Sequence, residues 1–155
     1  MSVESVLPAE KIARGALFAA AVIPLGVVGW LILWNFNFIA SIVALGISVG
    51  AYALYKIGSG GVIGRIGASV ILAITVATLL LAFFAGIVLD VAKELGDISG
   101  LSTWEAFTHP AFWSTFWDVF PDAVSGNKGN FAIAAAFGAL GAYRTLRGAF
   151  LEGAA

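Results

Sequence analysis

Ile66–Leu89, which reads IGASVILAITVATLLLAFFAGIVL, is the longest apolar segment of the chain and contains no charged residue. As a helix rising 1.5 Å per residue it would reach about 36 Å. The hydrocarbon core of a bilayer is about 30 Å thick, so this segment is long enough to cross a membrane with some tilt. We therefore expect this segment and the sequence around it to lie in a lipid bilayer.

The composition of the whole chain agrees with a membrane location. Of its 155 residues 61% are hydrophobic and 11% are charged, and the mean hydropathy is +1.00. Soluble domains have about 25% charged residues. We therefore expect a single membrane domain over residues 1–155 and no nucleic-acid partner. With no cysteine in the sequence, disulfides, thiolate metal sites and cysteine nucleophiles are excluded.

A first span is predicted over Ile12–Trp34. Pro24 lies in its middle, where a proline removes a backbone hydrogen bond and kinks a helix. We expect this kink to help the helix pack against its neighbours, and the alternative is that it acts as a functional hinge. A cleaved signal peptide also competes for this segment, but its apolar run continues well past the 7–15 residues typical of such a leader.

A second span is predicted over residues 36–55, after a tight reversal at the bilayer surface. A glycine-rich connection follows, and Gly61, Gly64 and Gly67 are expected to let the backbone turn and then approach another helix closely. The connection also invites a phosphate-binding interpretation. Its glycine spacing fails the dinucleotide fingerprint and it carries no Gly-Lys-Ser/Thr, so we predict no nucleotide cofactor.

The last span is predicted over residues 131–150. Its uninterrupted apolar run ends after 13 residues, at Arg144, so a re-entrant or interfacial segment is the alternative. Arginines near a helix end can snorkel to the surface, which favours a full crossing. Gly138 lies in a stripe of small residues at helical spacing and is expected to pack on another helix.

The loop between spans three and four, about residues 90–129, is predicted to be extracytoplasmic. Ser102 and Glu105 have the spacing of a helix capping box, and Pro110 is suited to open a second short helix. Five aromatic residues in that second helix share one face, which we expect at the membrane interface, or alternatively as a lid or docking surface. They are Phe112, Trp113, Phe116, Trp117 and Phe120.

The polar residues of this loop do not form a recognisable reaction centre. His109, the single histidine, lies near three carboxylates in sequence, those of Glu105, Asp118 and Asp122. A zinc site, however, requires three or four well-spaced ligands. The 122–130 stretch lacks the ligand order of a calcium loop and is predicted to be a polar turn. We accordingly assign no catalytic residue, no metal and no cofactor.

The positive charges predict the topology, because cytoplasmic loops are enriched in Lys and Arg. With four spans, one side carries six cations and the other carries two, Lys93 and Lys128. The richer side, which includes both termini, is predicted to be the cytoplasmic side of the inner membrane. Its six cations are Lys11, Arg14, Lys56, Arg65, Arg144 and Arg147.

Several of these features together resemble a group of small uncharacterised bacterial membrane proteins with four spans. They are the aromatic-bounded hairpin, the Tyr55–Gly67 turn, the third span that ends in Asp90-Val-Ala-Lys-Glu, and the closing Gly141–Tyr143. The resemblance implies a topology and assigns no catalytic residue.

The sequence thus predicts an all-α polytopic transmembrane bundle of four helices, with a short aromatic interfacial helix between helices 3 and 4. The leading functional hypothesis is a non-enzymatic accessory, assembly or structural subunit that contacts membrane lipid and a protein partner or a second copy of itself. A homo-oligomeric transporter or channel for a small or apolar solute is the alternative. It is weakened because pores usually place ionisable residues inside the membrane. A membrane enzyme would require the outer loop to do the chemistry.

Overall fold

The computed structural model describes residues 9–35 and 41–152. All secondary structure in that part of the chain is helical, which confirms the all-α prediction. Three of its segments are apolar and long enough to cross a membrane: Ile12–Trp34, Ile42–Ser59 and Arg65–Ser99. The helices are α1 Ile12–Ala20, α2 Val22–Asn35, α3 Ser41–Ser59, α4 Arg65–Ser99, α5 Thr103–Thr108 and α6 Phe112–Glu152.

The first predicted span is divided into α1 and α2 at Ala21. Pro24 explains the position of the break, because its missing N–H would have bonded to the carbonyl of Ala20, four residues earlier. The backbone instead tightens, and the Ala21 N–H donates to the carbonyl of Phe18 at 3.2 Å. The break is thus a local consequence of one proline.

The predicted second span begins within residues 36–40, which lie outside the described residues, as does most of the predicted reversal there. From Ser41 onward the segment is helical, and α3 continues past the predicted end at Tyr55 to Ser59. The helix is followed by a turn in which Gly60 and Gly61 both have positive φ, at +88° and +89°. Residues that carry a side chain rarely adopt a positive φ, so glycine suits both positions.

The helices pack side by side in one bundle. α3 packs against α1, α2 and α6, and α4 contacts all five of the other helices. Gly58 of α3 faces the backbone of α1, where a Cβ would lie 2.6 Å from the carbonyl oxygen of Arg14. Such a close approach allows two backbones to pack without intervening side chains.

α4 is longer than its predicted span and passes through Gly96. Gly96 is buried, and a Cβ there would lie 2.9 Å from the Leu101 carbonyl oxygen, so its glycine serves packing. The helix ends at Ser99, followed by Gly100 in the left-handed conformation with φ +69°. At 35 residues, α4 is about 52 Å long and extends well beyond a hydrocarbon core of about 30 Å.

α6 differs most from the sequence prediction. The aromatic segment does not form a separate short helix: it is the first part of a 41-residue helix that includes Pro121. The predicted polar turn at residues 122–130 is wrong, because these residues are helical. Asn127 donates from Nδ2 to the carbonyl oxygen of Ala123 at 3.0 Å, so its amide bonds within the helix. Phe120 and Val124 pack against the core and hold this section of α6 on the bundle.

Candidate functional site

The middle of the bundle is a junction of small residues. A Cβ on Gly26 of α2 would lie 2.8 Å from Ile47 of α3 and 2.8 Å from Thr78 of α4, so three helices meet there. On the other side of α3, the buried Ser48 donates to the carbonyl oxygen of Gly138 of α6 at 3.0 Å. These polar groups stabilise contacts between helices.

Gly138 itself lies between two helices. A Cβ on it would come within 2.6 Å of Leu79 in α4, while its carbonyl accepts the Ser48 hydrogen bond from α3. Among the other glycines predicted for packing, Gly67 would clash with Tyr55, and Gly64 is the N-cap of α4 and faces the Glu10 carboxylate. Gly61 has open space around it and serves the turn instead.

One end of the bundle is closed by a tryptophan and a carboxylate. Trp34 of α2 donates from its indole nitrogen to Asp90 of α4 at 2.9 Å. Its ring stacks on Trp30 with centroids 5.7 Å apart and meets Phe83 edge-on. Gly86 gives these rings room, since a Cβ there would lie 3.1 Å from Trp34. The indole and the carboxylate thus join α2 to α4. Their hydrogen bond lies where the apolar segment of α4 ends and its polar part begins.

The opposite end has a second polar contact. The buried Tyr55 of α3 donates its hydroxyl to the Glu10 carboxylate at 2.9 Å. The neighbouring Lys11 N–H donates to the carbonyl oxygen of Ser59 at 3.1 Å. Both bonds attach the segment before α1 to the end of α3. Neither pairing has a local sequence signal, because 45 residues separate Glu10 from Tyr55.

The five aromatic residues of the predicted interfacial face differ in how far they are buried. Phe112 and Phe116 are buried in the chain's own core, and Phe120 is half-buried. Trp113 and Trp117 are 43% and 55% exposed. The phenylalanines therefore hold α6 onto its neighbours, and the two tryptophans are the members of the set that face outward.

The exposed tryptophans continue onto α5. Trp104 is 70% exposed and lies beside Phe107, which in turn contacts Trp113. Together with the ends of α4 and α6, α5 forms what we call the outer hairpin, residues 90–125. Its outward surface combines these indole rings with Ile98, which is 76% exposed.

Glu105 and His109 of the outer hairpin make local hydrogen bonds that support its helices. The predicted capping box is confirmed, with the Glu105 N–H donating to Ser102 Oγ and the Ser102 N–H donating to the carboxylate. The hydrogen bonds from the Ser102 side chain and backbone hold the pKa of the exposed Glu105 below its ordinary value. His109 accepts at Nδ1 from the Ala111 N–H at 3.3 Å, near the start of α6. Within residues 9–35 and 41–152, no group of three or more His, Cys, Asp or Glu side chains is placed to hold a metal.

Two buried side-chain polar atoms in the described part of the chain have no hydrogen-bond partner: the Trp30 indole nitrogen and the Thr75 hydroxyl. Thr78, one turn further along α4, instead bonds its own helix at the Ile74 carbonyl. Thr75 and Trp30 both line a cavity of about 150 Å³ between α2, α4 and α6. Its wall is otherwise apolar, as expected for a void that stays dry.

No family model, curated protein or solved structure matches the chain. The described part of the chain is all-helical, and its three long apolar helices are compatible with a small integral membrane protein.

Proposed function

We propose that the chain is a four-crossing inner-membrane protein that acts without enzymatic chemistry, as an accessory or assembly subunit. The observation that carries the fourth crossing is the position of Gly138. It contacts Leu79 near the middle of the apolar part of α4 and Ser48 near the middle of α3. If α3 and α4 cross the membrane, a residue that contacts the middle of both helices lies near the middle of the bilayer.

The charges on α6 agree with this depth. A hydrocarbon core of about 30 Å holds about 20 helical residues, roughly ten on either side of Gly138. The crossing would then run from about residue 128 to residue 148. Lys128 falls at one border and Arg147 near the other, where their long side chains reach the headgroups.

The polar side chains inside the bundle support a scaffold. Ser48, Thr78, Trp34 and Tyr55 hydrogen-bond within the protein. The Ser48 and Trp34 bonds join different helices, and the Tyr55 bond joins α3 to the segment before α1. Such bonds fix the positions of the helices. The polar side chains that make them already have hydrogen-bond partners within the protein. The surface offered to a partner is the outer hairpin, whose exposed Trp104, Trp113 and Trp117 have the amphipathic character enriched in protein interfaces.

Topology is tested first, and the absence of native cysteine makes the chain suited to single-cysteine labelling. Asp97→Cys lies on the exposed outer hairpin, while Lys56→Cys and Arg147→Cys lie at exposed positions on the predicted cytoplasmic side. A membrane-impermeant maleimide applied to intact spheroplasts should label only position 97. Positions 56 and 147 should label in inverted vesicles. Labelling of position 147 from the outside would show that α6 does not cross.

The partner is tested by purifying the C-terminally tagged chain from native membranes in a mild detergent and measuring its native mass. A stoichiometric larger protein, lost in a Trp104→Ala/Trp113→Ala double variant and kept in Phe137→Ala, is the expected result. Phe137 is an exposed residue of the membrane part of α6 and serves as the control. A homo-oligomer without another protein would contradict the accessory role.

The same measurement addresses a transporter or channel for an apolar solute. This alternative is favoured by one observation, the 150 Å³ cavity that Trp30 and Thr75 line between three helices. A homo-oligomer that retains a small molecule, with loss of that molecule in Ala135→Phe, would support it. Ala135 lines the cavity, so a phenyl ring there fills the space.

A further inference from the structure

A groove on the outer hairpin lies between the last part of α4 and the first part of α6, with a volume of about 440 Å³. Each helix contributes one carboxylate to its lining, Glu94 from α4 and Asp122 from α6. The other lining residues are apolar: Val91, Leu95, Ile98, Val119 and Ala123. Both carboxylates are exposed, and neither forms an ion pair within residues 9–35 and 41–152. The groove therefore combines apolar surface with unpaired negative charge.

The groove and the tryptophans of α6 lie on different sides of that helix. Val119 follows Trp117 by two residues, and two residues turn an α-helix through about 200°. The two side chains thus point to nearly opposite sides of α6. A partner that contacts only the tryptophans would leave the groove uncovered.

Acyl chains do not suit this groove as a cover. Ionisable side chains inside the hydrocarbon core are rare, and they pair with one another or face a water-filled cavity. Glu94 and Asp122 are exposed and unpaired, so we place the groove outside the hydrocarbon core. Its apolar residues are nevertheless open, with Ile98 76% and Val119 38% exposed. Exposed apolar surface that is bordered by polar groups is typical of a contact with another protein.

The charge of the outer hairpin indicates the chemistry of that protein. Residues 90–125 contain six carboxylates and one cation, Lys93. A second copy that docked through the same surface would bring carboxylates against carboxylates, and like charges in contact oppose binding. A Lys or Arg side chain is complementary, because it has an apolar stem and a charged end. The guanidinium of Arg also donates two parallel hydrogen bonds to a carboxylate.

We propose that the groove binds a basic segment of a protein partner. The stem of a Lys or Arg side chain lies on the apolar lining, and its charged end lies at Glu94 and Asp122. This contact rests on the accessory role proposed above, to which it adds the charge of the partner and a second contact surface.

The test is photo-cross-linking of the full chain in native membranes. A benzophenone amino acid is placed at position 98, in the groove, or at position 113, among the tryptophans, and the cross-linked peptides are sequenced by mass spectrometry. Position 98 should cross-link to a protein segment in which Lys or Arg adjoins the attachment site. A cross-link at position 98 to an acidic or uncharged segment, to lipid alone or to a second copy would overturn the proposal.

The two positions separate this proposal from the accessory role. Cross-linking of another protein at position 113 and of none at position 98 would overturn the groove contact and leave the accessory role in place. Absence of a protein cross-link at both positions would overturn both.

The charge is tested with a synthetic peptide of the cross-linked segment, titrated onto the purified full chain. Glu94→Gln/Asp122→Asn should weaken binding about 2-fold to 30-fold, the range expected for the loss of two exposed ion pairs. Asp97→Asn/Asp118→Asn is the matched control, because it removes two exposed carboxylates that do not line the groove. It should weaken binding less. Equal effects of the two double variants would show that the overall charge of the hairpin attracts the peptide, which would overturn the groove as its site.

Discussion

Gly58→Ala is expected to separate α1 from α3. A Cβ at this position would lie 2.6 Å from the Arg14 carbonyl oxygen and 2.9 Å from the Gly15 Cα. Both are backbone atoms, so no side-chain rotation relieves the contact, and the helices must move apart. Overpacking of this kind costs about 1–3 kcal/mol.

Gly46→Ala is the matched control, because it lies on the same helix with no atom within 4 Å of its Cβ. Both substitutions gain helix propensity, up to about 1 kcal/mol. The difference in unfolding free energy between the two variants is therefore close to the overpacking cost alone. It corresponds to about 5-fold to 150-fold in the folding equilibrium.

The measurement is unfolding of the full chain in mixed micelles titrated with dodecyl sulfate, followed by the fluorescence of its five tryptophans. Gly58→Ala should unfold at a lower detergent fraction than wild type, and Gly46→Ala at an equal or higher one. If Gly58→Ala is as stable as Gly46→Ala, the backbones of α1 and α3 are not in the contact described, and the reasoning fails.

Three further outcomes are expected. Trp34→Phe should lower the free energy of unfolding by about 1.5–3 kcal/mol in the same titration, because the Asp90 carboxylate loses a hydrogen-bond donor. Thr75→Val should leave stability unchanged or raise it, since its buried hydroxyl has no partner in the described part of the chain. Ser102→Ala should raise the pKa of Glu105 toward its ordinary value, measured by carboxyl NMR. In the wild type, the stabilisation linked to that lowered pKa is present above the unfolded-state pKa and is lost as the pH falls through the folded-state pKa.

Each outcome has a control of the same chemistry. Trp117→Phe makes the same ring substitution at a position that is 55% exposed, and should cost less than Trp34→Phe. Thr78→Val removes a hydroxyl that bonds the Ile74 carbonyl and should be less stable than Thr75→Val. A Glu105 pKa that does not move in Ser102→Ala would show that the capping box is not formed.

Features that depend on near neighbours in sequence were predictable. The capping box needs only Ser102 and Glu105 at the right spacing, and it forms. Pro24 removes a hydrogen bond four residues back, and the helix breaks there. The apolar runs likewise identify three helices that are able to span, because length and hydropathy are properties of single segments.

Features that depend on tertiary contact were not predicted, although one of them, the continuous α6 helix, had a signal in the sequence. The predicted turn at residues 122–130 used the local preferences of Gly, Asn and Asp. Packing overrode those preferences, because Phe116, Phe120 and Val124 continue a helical stripe toward Phe131. That periodicity was available in the sequence and would have indicated one continuous helix. The pairs Trp34 with Asp90 and Glu10 with Tyr55 had no such signal, since 56 and 45 residues separate the partners in sequence.

The hydrogen bond from Ser48 to Gly138 has a consequence for how the protein is made. α3 has the lowest hydropathy of the three candidate spans, 1.4 against 2.4 and 2.7, and its partner follows 90 residues later. At translation rates of about 5–20 residues per second, α3 waits about 5 to 18 s for α6 to emerge from the ribosome. Of the helices that precede α3 in the chain, α1 has the most extensive contact with it and is already made during that interval.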